Sequence, residues 1–323
     1  MDRATAQPLE PFVVETQYRE RVWGGANLRP AAEGATPIGE AWMIYEENTV
    51  ASGAHEGRTL GDLAAEYGAA LLGTKPLERT GTRFPLLIKL LDCNDWLSIQ
   101  VHPDDDQAVE LEGPGQFGKT EAWHIVQASP GARIISGLRP GTTPDEMAHA
   151  IRDGAIAGLA DYLPLERGDT VLVRARTIHA LGPGLFVYEV QQTSDITYRI
   201  YDWDRPQGAG RALHIEQAVR VSDPSAHCER VPAQDYSGDG ARRLVSCDYF
   251  DLGLVESKGA ALEMDTHGET FHAVTVIEGE CRIEGAGEPH ILAPYDTAVV
   301  PAACGRYTIV PVGGVRALVS WVE

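Results

Sequence analysis

Between Thr170 and Tyr201 four short runs follow one another, Thr170–Val173, Ile178–Gly182, Leu185–Gln191 and Asp195–Tyr201, with Asp169, Gly182-Pro183-Gly184 and Asp195 among the residues that bound them. Segments this short and this heavily punctuated cannot make long amphipathic helices, and they point to a sandwich or barrel. The same habit appears in Phe84–Cys93, Leu97–Val101 and Glu121–Val126, and returns after Leu244 in Phe271–Ile277, Glu280–Ile283, Ala298–Val300 and Ala317–Trp321. Helical signals are local. Thr59 caps a helix of about three turns, with Asp62 at its third position. Thr143, Pro144 and Glu146 form a capping box that opens a helical insertion over 143–163, and a short helix is predicted over Ile215–Val221. The reading is a mainly β chain in two blocks joined near residues 225–240: a larger block over 1–230, with N-terminal strands and the helical insertion, and a C-terminal block over 231–323.

Composition narrows the function. The 323 residues carry a formal charge of -20, which argues against a phosphate-backbone partner, since nucleic-acid binders present basic faces. Any anionic substrate must therefore meet a local basic pocket. Five scattered cysteines include no CxxC pair, which suits reduced thiols and makes a poor disulfide framework or thiolate zinc site. The first residues lack the basic and apolar blocks of a signal peptide, and no apolar run approaches the roughly 20 residues of a membrane helix. A soluble, cytoplasmic protein is expected.

Chemistry concentrates first in Leu97-Ser98-Ile99-Gln100-Val101-His102-Pro103-Asp104-Asp105. Strand alternation puts Leu97, Ile99 and Val101 on one face and Ser98, Gln100 and His102 on the other, and Pro103 ends the strand. Glu121 opens the next strand and His179 precedes the Ala180-Leu181-Gly182 turn. Imidazole nitrogen with amide and carboxylate oxygen is a donor set for a divalent metal with an open position. Alternation places His124 on the opposite face from Glu121. A second polar row comprises Glu189 and, in Asp195-Ile196-Thr197-Tyr198-Arg199, the odd-numbered Asp195, Thr197 and Arg199. Lys119 shares the face of Glu121, and Lys89 interrupts an apolar strand, where it must leave the core by its stem or face a polar cavity.

Several of these stretches, in order, resemble the motifs of the type I mannose-6-phosphate isomerases. They are Phe84-Pro85-Leu86-Leu87-Ile88-Lys89, Leu97 to Asp105, Gly118-Lys119-Thr120-Glu121-Ala122-Trp123, Ile178 to Gly182 and Tyr188 to Arg199. The resemblance runs over roughly residues 10–323, is strongest between 84 and 205, and is to the short bacterial branch. It implies two cupin-like jelly-roll β-barrels, with one zinc ion per chain held by Gln100, His102, Glu121 and His179. It also implies a small sugar-phosphate substrate and an aldose-ketose isomerisation. Arg199 matches the arginine that assists catalysis, and Asp195, Glu189 and Lys119 are the candidates for orienting it or moving protons.

The phosphate clamp is expected among Lys89, Lys119, Arg176 and Arg199. One departure is Arg174-Ala175-Arg176-Thr177, where relatives carry a Pro-Ala-Gly-Thr-like turn. In the C-terminal block His267 and His272 are five apart, on opposite strand faces, so no second metal site is expected there. The rival readings are an iron(II) oxygenase, disfavoured by Gln100 and Lys119, an isomerase of an unphosphorylated sugar, and a non-catalytic sugar-binding cupin.

Overall fold

The computed structural model describes residues 9–30, 32–206, 211–234 and 238–323. The chain is mainly β, and its contacts divide it into two compact units that interleave along the sequence. One unit takes Met1–Gln17, Met43–Pro85 and Asp235–Glu323; the other takes Tyr18–Trp42 and Leu86–Gln234. The unit that holds residues 235–323 thus also draws on Met1–Gln17 and Met43–Pro85. A strand joins whichever sheet offers it a ladder, not its nearest neighbour in sequence: Phe12–Val13 pairs with Thr297–Val300 near the far end of the chain.

The larger unit is built on two antiparallel sheets. A five-stranded sheet runs Tyr198–Tyr201, Ile99–Val101, His179–Leu181, Arg133–Leu138, Ala160–Pro164. A seven-stranded sheet has Leu185–Gln192 at its centre, flanked by Glu121–Ala128 and Leu86–Cys93. The central strands Leu86–Cys93 and Leu185–Gln192 are buried along their whole length, as their near-continuous apolar sequences require. One apolar cluster, with Leu91, Trp123, Ile134, Leu181 and Val187, draws on both sheets and fills the space between them. A second cluster joins Ile99, Val101 and Ile135 to Met147, Ile151, Ala218 and Val221, which come from helices Pro144–Arg152 and Ile215–Val221.

The predicted capping box is present, with Glu146 N donating to Thr143 Oγ1 and Thr143 N to the Glu146 carboxylate. The helix stops at Arg152, however, and Ala160–Pro164 is a strand. Gly154 stands in the left-handed region at φ 68°, turning the chain so that Ile156 completes the same cluster. The helix opening at Thr59 is also shorter than predicted, ending at Tyr67 before Gly68 at φ 48°.

In the other unit the long strands His272–Glu284 and Arg306–Trp321 pair and are bent by register shifts at Val276/Glu278 and Gly279/Cys281. Their inward residues, among them Val274, Val276, Ile309 and Val319, form its core. Among the described residues no helix is long and apolar enough to cross a membrane.

Candidate metal centre and active site

The short strand Ile99–Val101 buries Ile99 and Val101 in the outer cluster and so turns Gln100 to the inner face. Leu97 departs from the predicted parity: it precedes the strand and joins the inner cluster. His102 follows directly, and Asp104 caps helix Asp105–Glu112 through a full capping box with Gln107. Gly118 lies against that cap. Its amide donates to Asp105 Oδ1 at 2.7 Å, and a Cβ there would come within 2.5 Å of the Asp104 backbone, so only glycine permits the approach that delivers Lys119 and Glu121. Across the five-stranded sheet Gln100 faces His179 on one side and Arg199 on the other, which puts three predicted site residues in one row.

The row meets Glu121 from the other sheet. His102, Glu121 and His179 are completely buried, and one donor atom from each lies within 4.8 Å of the others. Each imidazole has its Nδ1 set against a carbonyl, His102 at 2.9 Å from Ile196 O and His179 at 2.8 Å from Thr177 O. A carbonyl accepts, so Nδ1 carries the proton in both rings and Nε2 presents a lone pair. Those Nε2 atoms lie 3.5 and 3.3 Å from the oxygens of Glu121.

Burial, joined by the Lys119 cation, pushes the His102 imidazole down to about 3, and burial also lowers His179. Burial alone would raise the Glu121 carboxyl, but the Lys119 ammonium together with the imidazoles of His102 and His179 outweighs it and holds the group well below the usual range. Neutral lone pairs thus face a carboxylate with no proton between them. His102 Nε2 and both Glu121 oxygens lack a hydrogen-bond partner, and the Lys119 ammonium, although 3.1 Å from Oε2, is off the hydrogen-bonding line. Orphaned buried acceptors are costly, and convergent ones fit a cation. The Gln100 amide lies 3.3 Å from His179 Nε2 and can present nitrogen or oxygen there by a half-turn. These residues fit a divalent metal.

Beside the cluster is a cavity of about 580 Å³, lined by Gln100, Lys119, Glu189, Asp195, Thr197 and Arg199, with Lys89 among its further walls. The register pairs Glu189 with Lys89 and with Trp123, and the side chains follow: Trp123 Nε1 donates to Glu189 Oε1 at 3.0 Å, and Lys89 Nζ is 3.2 Å from Oε2. Burial would discharge Lys89, but Glu189, Asp195 and Glu40 outweigh it and raise its pKa, so it stands as a cation on the wall.

A family profile described as "Phosphomannose isomerase type I, catalytic domain" matches residues 12–117. The mannose-6-phosphate isomerase of Streptococcus mutans is 35% identical over 302 residues, covering 90% of this chain and 92% of its own. The chain belongs to the type I mannose-6-phosphate isomerase family. Among solved structures, the mannose 6-phosphate isomerase of Bacillus subtilis is 32% identical and superposes with a TM-score of 0.82 over 98% of this chain and all of its own. A zinc-bound mannose 6-phosphate isomerase, 15% identical, shares the fold at a TM-score of 0.76, over 98% of this chain and 100% of its own.

In this family member all eight site residues expected from sequence lie at the buried cluster or on the cavity wall. His124 is elsewhere, its Nδ1 3.0 Å from Thr170 Oγ1. Arg176 corrects one expectation. Its Nε donates to Val221 O and it takes no part in the cavity, so it is no anion contact there. It keeps the loop geometry that a glycine would give, at φ 74°, with its amide donating to His102 O at 2.7 Å.

Sequence reasoning missed Arg21, Glu40, Arg211 and His214, all on the cavity wall. Glu40 is buried, bridged twice by Arg21 at 2.8 and 3.0 Å, and accepts from Trp42 Nε1. A carboxylate inside the apolar strand Ile38–Ile44 was a readable signal, by the logic already applied to Lys89. Arg211 and His214 fall in a polar stretch with no periodicity, which carries none.

Proposed function

We propose that the chain is a zinc-dependent aldose-ketose isomerase interconverting mannose 6-phosphate and fructose 6-phosphate through a cis-enediol. The observation that carries the reading is the convergence of His102, Glu121 and His179, with orphaned acceptors, beside a cavity walled by cations in a member of this family. Zinc is favoured by the donor set, two imidazole nitrogens and a carboxylate with the Gln100 amide at their edge. When bound, the ion supplies a Lewis acid for the sugar oxygens.

The chain's own residues would do the rest. The reaction moves a proton between C2 and C1 while negative charge builds on oxygen. Arg199 supplies fixed positive charge for that oxygen, and its position is braced by Nη1 donating to Ala212 O at 3.0 Å. Asp195 is the proton carrier: it is half-exposed on the wall, and its nearest cation, Lys89, is 3.8 Å away. Glu189 has both oxygens engaged by Lys89 and Trp123, so its part is to orient Lys89. Lys119, on the wall and beside Glu121, donates a proton for ring opening. Arg211 and His214, at the Arg199 end, receive the phosphate; His214 N donates to Arg199 O at 2.8 Å, which holds His214 beside Arg199.

The test is a coupled assay of purified protein with mannose 6-phosphate before and after chelation, with zinc and iron quantified on the same sample. Zinc-dependent formation of fructose 6-phosphate is expected. Bound iron without isomerisation would overturn the reading, and bound zinc without turnover would overturn the assignment of substrate.

A further inference from the structure

Behind the cavity wall, just after strand Tyr198–Tyr201, lies a carboxylate that no step above uses. Asp202 is 6% exposed and is not itself on the wall. Arg211 meets it side-on, Nε donating to Oδ2 at 2.6 Å and Nη2 to Oδ1. That leaves Nη1 of Arg211, a residue of the cavity wall, without a hydrogen-bond partner among the described residues.

The turn that presents Asp202 is itself unusual. Trp203 and Asp204 are consecutive non-glycine residues in the left-handed region, at φ 55° and 54°. Each costs of order 1–2 kcal/mol, and such conformations persist only when their surroundings hold them. Here Trp203 Nε1 donates to Leu97 O at 2.8 Å and Tyr201 OH to Asp204 Oδ2 at 3.0 Å. Arg205 donates to Asp202 Oδ1 at 3.2 Å and is anchored by Asp95 Oδ2 at 2.6 Å and Trp96 O at 2.8 Å. The strained turn is therefore fastened on both sides to the segment that leads into Ser98 and Gln100.

We propose that Asp202 is a positioning residue: its buried carboxylate fixes the Arg211 guanidinium with one amino edge toward the cavity, and so sets the affinity for the substrate's phosphate. An arginine has a rotamer-rich side chain, and one already locked by a bidentate carboxylate binds an oxyanion without paying to be ordered. The inference rests on the reading that Arg211 receives the phosphate.

The test compares Asp202→Asn, Arg211→Gln and the double variant, all zinc-loaded, by KM and kcat for mannose 6-phosphate and by competitive inhibition with inorganic phosphate. Asparagine keeps the size but loses the charge and one arm of the pair. Asp202→Asn is expected to raise KM and the phosphate inhibition constant together, by about tenfold, with a much smaller change in kcat. In the double variant it should add little to Arg211→Gln, since a residue acting through another is non-additive with it. If Arg211→Gln raises both constants while Asp202→Asn raises neither, or if the two effects simply add, the positioning role is overturned. A lower kcat and melting temperature with unchanged KM overturns it too, leaving a structural carboxylate. If Arg211→Gln itself changes neither constant, the assignment of Arg211 to the phosphate is what fails.

Discussion

Each unit of this protein buries histidine in β-structure, and the two do so with opposite consequences. In the C-terminal unit His272 is 7% exposed, its Nδ1 is 2.8 Å from the Tyr307 hydroxyl, and its ring rests near Trp321. In the other unit His102 and His179 are just as deeply buried and also have Nδ1 anchored, yet their Nε2 atoms both confront Glu121. Burial lowers the imidazole in both places, to about 4 for His272 and about 3 for His102. Desolvation therefore does not distinguish a site from a core. What distinguishes them is whether the second nitrogen and its neighbours are left with acceptors that only a cation can satisfy.

Four experiments would break or sharpen that contrast. The largest effect is expected from His102→Ala, which should abolish both metal retention and turnover; an active, metal-free protein would sink the assignment of the cluster. Next, Arg199→Ala should keep the metal, by elemental analysis, while kcat falls by about 10²–10³-fold, the usual loss for one electrostatic donor.

His272 supplies the third, because its folded pKa lies below its ordinary one. The unfolded chain then takes up the proton first, so the contribution is full above about 6.5, declines as pH falls, and is entirely lost below about 4. The difference amounts to about 3 kcal/mol. Denaturant titrations from pH 7 to 4 should show that slope in the wild type and a flatter one in His272→Phe; equal slopes would remove His272 from the account. The smallest effect is expected at Arg176, whose left-handed backbone suits glycine. Arg176→Gly should raise stability by about 1 kcal/mol in chemical denaturation, with kcat and KM unaltered.

Much of the fold was legible because its signals are local. The Thr143 and Thr59 caps, the helix Ile215–Val221 and the central strands all stand where turn chemistry and periodicity put them. Element ends were less legible: nothing near Leu159 announces that the chain has already become a strand, because Ala160–Pro164 gains its identity by pairing with Arg133–Leu138. The same holds at the site. Lys89 was readable as a cation out of place in an apolar run, whereas Arg211 becomes significant only through the buried Asp202 that holds it.

The residues themselves determined the donor types, the alternation that turns Gln100 inward, and a family whose motifs stand in order. Tertiary structure alone decided that Glu121, 58 positions before His179, comes within 3.3 Å of it. It also decided which strands of the first eighty-five residues serve which unit. The reason is physical: alternation and capping act between neighbours in the chain, while ladder pairing and charge convergence act between neighbours in space, and a sheet brings those together without regard to sequence separation.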